Sequence, residues 1–250
     1  MTHLYLAASS NIGTISRALD AWDWSARPLN VLLAFPYLRQ YRQRLATHWT
    51  AKRTMLDSGA FTAFQLGHTI DLAALCSESK RVAWTETVAL DVIGDWRGSL
   101  RNYTQMVLSG SPAMPVFHIG DPWWLLDLYA SSGRKIGLGG LVGRSLGEII
   151  AFCDRVFARC WPWRFHAFGQ AREELLLRFP FDSADSTSWM APATYARGVT
   201  LRGPNKVAQV YGCNGRTLAP TLRYSIERLL EFEQRLAVHW QRELHAARMT

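Results

Sequence analysis

The chain has 250 residues, 48% of them hydrophobic and only 19% charged. That composition suits one large domain with a full core and excludes long disordered tails. A formal net charge of +8 and an isoelectric point near 9.6 bias the chain toward polyanionic partners, although an ordinary basic soluble protein has the same balance.

The four cysteines, Cys76, Cys153, Cys160 and Cys213, form no CxxC pair and match no common zinc spacing. In a chain this long they read as reduced thiols. Met1 to Tyr5 lacks the charged and apolar regions of a signal peptide, and no apolar run approaches the ~20 residues that span a bilayer. A cytoplasmic location is expected.

In chain order, His3 to Ala8 is a first buried strand, and Gly13 to Trp24 has helical spacing of Ile15, Leu19 and Trp22. Asn30 to Phe35 is a second strand. Tyr37 to Trp49 is a basic helix carrying Arg39, Arg42 and Arg44, followed by Lys52 and Arg53. A solvated helix face and a phosphate-contacting surface both fit that charge. Thr54 to Asp57 is the third strand and Val88 to Val92 the fourth, with helices near 71–84 and 96–108. Met114 to Ile119 is the fifth strand, after which Asp121-Pro122 opens a helix with an acid at the N-cap.

Lys135 to Leu138, Arg164 to Phe168 and Phe181 to Asp185 complete the strand set, separated by helices over 145–157 and 171–179. Thr187 to Pro220 is irregular and is expected to hold loops and a small strand pair. A long amphipathic helix over about 220–247 ends the chain. Eight strands alternating with helices predict an α/β fold, a single-domain (β/α)8 TIM barrel over residues 1–250.

Active sites of such barrels sit at the C-terminal ends of the strands. Here those ends collect Asp57, Asp91, His118, Gly139, Gly140, His166 and Asp185. Each Asp could be a turn or cap residue alone, but three on one rim are costly without a task. Gly139-Gly140 would let a ligand approach the backbone. The glycines lack the dinucleotide fingerprint and the phosphate-loop lysine, which leaves NAD and ATP unsupported. Trp189 is a candidate stacking platform, or equally a capping aromatic. No acidic residue lies between Ser186 and Ser225, a stretch holding Arg197, Arg202, Lys206, Arg216 and Arg223; a nucleic-acid backbone contact and a plain basic surface both fit, the first better.

Asp57-Ser58-Gly59-Ala60-Phe61 resembles the Asp-Ser-Gly-Gly-Phe-Gln motif of tRNA-guanine transglycosylases. Gly139-Gly140-Leu141-Val142-Gly143 resembles their Gly-Gly-Leu-Ala-Val-Gly motif, and Asp185 stands where that family carries its nucleophile. With Asp185-Ser186-Thr187-Ser188-Trp189, the likeness is closest to the DpdA-type DNA guanine transglycosylases, which are often phage-encoded. The resemblance implies exchange of guanine in DNA for a 7-deazaguanine base, such as 7-cyano-7-deazaguanine, with no metal or organic cofactor. The implied location is then the host cytoplasm.

It also implies roles. Asp185 is the nucleophile and Asp57 the general acid/base. Asp91 reads guanine, with Ser58, Gly59, His118, Gly139, Gly140, His166 and Trp189 around the base. DNA and the free base are the implied partners, with a helper protein that opens the duplex as a further one. The cysteine-rich zinc subdomain of the tRNA enzymes is missing, which sets tRNA below DNA as substrate. A barrel that binds nucleic acid without catalysis, and a hydrolytic base glycosylase, are the rival readings. Asp182 competes with Asp185 as nucleophile.

Overall fold

The computed structural model describes residues 2–8, 19–20, 22–41, 50–190, 198–201, 207–210 and 218–249. Within them, β1 (His3–Ala8), β2 (Asn30–Ala34), β3 (Arg53–Asp57), β4 (Glu86–Val88), β5 (Ala113–Met114), β6 (Val116–His118), β7 (Ile136–Gly139), β8 (Phe165–Ala167) and β9 (Ser183–Ser186) form one sheet. All its pairings are parallel. The order is β5-β4-β3-β2-β1-β9-β8-β7-β6. The two outermost segments, β5 and β6, flank Pro115. A proline has no N–H to donate to a ladder, so one barrel strand is split in two. Joined through Pro115, the nine segments are the eight strands of a (β/α)8 barrel.

The helices lie outside: α1 (Ala60–Leu66), α2 (Leu72–Arg81), α3 (Trp96–Leu108), α4 (Trp123–Ser131), α5 (Leu146–Cys160), α6 (Glu173–Arg178) and α7 (Leu218–Met249). Sequence chemistry fixes several starts. The Asp71 carboxylate accepts from the Ala73 and Ala74 amides at the head of α2. Ser145 and Glu148 form a reciprocal capping box on α5. Leu75, Met106, Leu125, Ile149 and Leu175 bury the inner stripes of α2 to α6, each contributing roughly 1.5–3 kcal/mol. On α7, Leu222, Ile226, Leu229, Phe232 and Leu236 are buried. Glu233 of α7 accepts from Asn30 Nδ2 at 3.1 Å and faces His3 at 3.3 Å. Those contacts fasten α7 to the starts of β1 and β2. No described helix is long and apolar enough to cross a membrane. An antiparallel pair, β10 (Gly198–Leu201) and β11 (Val207–Val210), fulfils the expected small strand pair.

Period-two alternation builds the barrel interior in layers. Tyr5, Ala7, Leu32, Met55, Val88, Met114 and Val116, with Phe168 against them, form an apolar middle. Two residues further along their strands come Asp57 after Met55 and His118 after Val116. Two residues earlier comes Glu86 before Val88. The interior is therefore an apolar plug between a polar floor and a polar mouth.

Candidate active site

The mouth gathers the predicted acids. Asp57 ends β3 and Asp185 lies in β9, while Asp91 follows β4 by three residues because that strand ends at Val88, not Val92. Asp91 and Asp185 are close enough for Asp57 to feel their charge. Burial, then Asp91, then Asp185 push the Asp57 carboxyl up to about 7. An acid in that range gives and takes protons at neutral pH.

The turn after Asp57 is shaped for this task. Gly59 adopts φ 76°, and a Cβ there would stand 2.4 Å from Pro36 Cδ, so only glycine fits. Its amide donates to Asp57 Oδ2 at 3.1 Å. Ser58 is 1% exposed, which corrects its expected place against the base. Its hydroxyl accepts from the Ala60 amide at 3.4 Å and donates to Asp91 Oδ1 at 3.5 Å. It is a strut between the two acids.

His118 is clamped. Its Nε2 lies 2.9 Å from Asp91 Oδ2, and its Nδ1 lies 3.6 Å from Asp121 Oδ2. Burial alone would lower the imidazole, but the bonds to Asp121 and Asp91 outweigh it and raise the ring to about 9. His118 is thus an imidazolium at neutral pH, and its Nε2–H orients the Asp91 carboxylate. Asp121 was expected to cap a helix. Instead α4 begins after Pro122, and the Asp121 carboxylate accepts from the His118 amide at 2.8 Å. Sequence reading missed this residue. Its signal was the three-residue spacing to His118 across Gly120, which brings the carboxylate back onto the strand end.

Gly139 is a correction. A Cβ there would stand 2.5 Å from His118 Cδ2, so the missing side chain makes room for the imidazole rather than for a ligand. Gly140, with φ 71°, turns the chain just beyond. Gly139→Ala is expected to push the ring away from Asp91, dropping its titration from about 9 toward the ordinary histidine range. An NMR titration of His118 checks this.

His166 is also corrected. It is fully buried beneath Asp185, edge-on to Tyr5 and Phe168, and cannot touch a substrate. Its Nε2 lies 3.3 Å from Asp185 Oδ1, an oxygen that also accepts from the Gly169 amide at 2.7 Å. Trp189 is 1% exposed and donates its indole N–H to the Ala7 carbonyl at 3.1 Å. It is a core aromatic with no free face, not a stacking platform. Asp182 precedes β9 and lies at the floor, 2.7 Å from Lys135 Nζ. Burial works against its charged form, but Lys135 prevails and holds the carboxyl below the ordinary range. It is an ion-pair partner remote from the mouth, which leaves Asp185 as the mouth carboxylate of that strand.

Lys52 and Arg53 stand at the start of β3, the opposite barrel end from Asp57. Lys52 lines a cleft of about 600 Å³ there with Arg27 and Glu227, and Arg53 bears on the Tyr5 phenol. Neither can hold a backbone at the mouth. Arg42, Arg44, Arg197, Arg202, Lys206 and Arg216 lie outside the described residues.

The raised acid has a consequence for stability. An unfolded Asp titrates near ~3.9, and Asp57 folded titrates at about 7. Between those values the folded chain holds a proton that the unfolded chain lacks, so this stabilisation is complete below the lower value and is lost as pH rises through the upper one. Asp57→Asn removes the loss. The variant should match the parent at pH ~4 and exceed it by roughly 1–4 kcal/mol at pH ~8, by denaturant melts.

No family model and no curated protein matches the chain. Among solved structures it is similar to that of a candidate fructose-1,6-biphosphate aldolase from Coccidioides immitis, with a TM-score of 0.54 and 10% identity over 92% of this chain and 90% of that one. At that identity the likeness concerns the barrel. The chemistry is read from the mouth residues themselves.

Proposed function

We propose that the protein exchanges guanine in DNA for a 7-deazaguanine base by double displacement. The observation that carries the reading is the gathering of Asp57, Asp91 and Asp185 at one barrel mouth, where burial and the two neighbouring charges push the Asp57 carboxyl up to about 7. A base exchange needs that combination: an ionised nucleophile beside a group that protonates one base and deprotonates the next.

Asp185 attacks C1′ of the target nucleotide while the bond to guanine N9 breaks. Asp57, protonated, supplies the proton that guanine needs to leave. The product is a glycosyl ester on Asp185, reached through an oxocarbenium-like transition state. Asp57, now a carboxylate, takes the proton from the incoming base, whose nitrogen attacks C1′ and frees Asp185. Two inversions retain the anomeric configuration. Asp91, held by His118, accepts from guanine N1–H and the N2 amino group together, a pattern adenine does not offer. A duplex target must first be flipped out, at a cost of a few kcal/mol.

The test is incubation with radiolabelled guanine, or labelled 7-cyano-7-deazaguanine, and either DNA or tRNA. Label is expected in DNA. Label in tRNA alone moves the substrate to tRNA, and abasic DNA without label makes the protein a glycosylase.

A further inference from the structure

The barrel floor connects to the mouth through one line of polar contacts that the base-exchange scheme leaves unused. Lys135, 6% exposed and just before β7, has three N–H donors. It spends them on Glu86 Oε1 at 2.7 Å, Asp182 Oδ2 at 2.7 Å and Ser183 Oγ at 2.8 Å. An ammonium accepts nothing, so Ser183 Oγ receives this bond on a lone pair. Its own hydrogen is then directed to its other neighbour, His166 Nδ1, 2.8 Å away.

That direction fixes the ring. If Nδ1 accepts, the proton of the neutral imidazole sits on Nε2. Nε2 faces Asp185 Oδ1 at 3.3 Å, an acceptor, so both ends of the ring agree. The opposite tautomer would set the Nε2 lone pair against a carboxylate oxygen. A second proton, on Nδ1, would meet the hydroxyl hydrogen that Lys135 turns toward it. His166 is 0% exposed, so no solvent competes for either nitrogen.

We propose that Lys135 is a positioning residue for Asp185: acting through Ser183, it locks His166 as the neutral Nε2–H tautomer. That N–H and the Gly169 amide then pin Asp185 Oδ1 and leave Oδ2 as the attacking oxygen. A neutral donor orients the carboxylate without forming an ion pair, so its negative charge stays available for attack. The functional half of the proposal rests on Asp185 being the nucleophile. The tautomer itself does not.

The experiment is a ¹⁵N-imidazole NMR spectrum of histidine-labelled protein at pH ~7 without substrate, compared with Lys135→Met and Ser183→Ala. In the parent, His166 is expected protonated on Nε2 alone. In Lys135→Met the hydroxyl is released, and part of the population is expected to gain a proton on Nδ1. Ser183→Ala, the milder change should Lys135→Met not fold, is expected to keep Nε2–H and to shift Nδ1 to the position of a ring nitrogen without a donor. A parent ring protonated on Nδ1, or an Nδ1 resonance unmoved in Ser183→Ala, overturns the proposal even if base exchange is found. The expected spectra uphold the tautomer even if no exchange is found. Where exchange is measurable, folded Lys135→Met, in which part of the ring population loses Nε2–H, should lower kcat severalfold with KM unchanged, while Ser183→Ala, which keeps Nε2–H, should change it less; an unchanged kcat in Lys135→Met removes the positioning role.

Discussion

Asp185→Asn is expected to lower base exchange by at least about a thousandfold in kcat while the barrel stays folded. The amide keeps the shape and one oxygen, so the His166 and Gly169 donors keep their acceptor. What is lost is the charge that bonds to C1′. Asp182→Asn is the control on the same strand. That side chain pairs with Lys135 at the floor, and its loss should lower the melting temperature without touching turnover. Steady-state kinetics and melting curves on the two variants separate the roles. An Asp182→Asn enzyme that is folded and dead, beside an active Asp185→Asn, would exchange the assignments.

The second large effect falls on stability. Lys135→Met leaves Glu86 and Asp182 without the cation between them. Removing one partner of a buried pair costs about 3–5 kcal/mol. The Asp182 side chain is 28% exposed and can turn to water, which places the expected loss near the lower end, at ~3 kcal/mol. For a chain of this size that corresponds to a melting temperature lower by roughly 6–12 °C. Neutralising the orphaned acids with Glu86→Gln and Asp182→Asn in the same chain should recover much of it. A Lys135→Met protein as stable as its parent would show that the floor cluster does not hold the barrel together.

The barrel itself was legible because a parallel strand buried on both faces is a run of apolar residues, and Asn30 to Phe35 or Val116 to Phe117 show it plainly. Pro115 hid the split of one strand, since its missing N–H interrupts a ladder without interrupting the hydrophobic run. The mouth acids were legible together, not singly: each could serve a turn or cap, but Asp57, Asp91 and Asp185 on one rim exceed what turns and caps need. What the sequence hid is non-local. Lys135 meets Glu86 and Asp182 across 49 and 47 residues, and no local spacing announces that. Gly139 looked like an opening for a ligand because a glycine does not say what fills its empty side; His118, from the neighbouring strand, fills it. Trp189 looked like a stacking surface because an indole just after the strand that carries Asp185 does not reveal which way it turns. Asp121 looked like a cap because Asp-Pro before a helix usually is one.

These corrections shrink the set of groups that can meet a base. Asp57, Asp91 and Asp185 remain at the mouth, His118 and Asp121 stand behind Asp91, and His166 stands behind Asp185. Under the proposed exchange, recognition depends on one oriented carboxylate, and chemistry on two.

The proposed exchange turns on a covalent bond between Asp185 and the sugar. Its most direct measurement is mass spectrometry of the protein quenched with a guanine-containing oligonucleotide in the absence of acceptor base, then digested. The expected result is the mass of the oligonucleotide less its guanine on the peptide bearing Asp185, absent in Asp185→Asn and discharged by added 7-deazaguanine base. An adduct on another residue, or base loss from the oligonucleotide with no adduct, would contradict it.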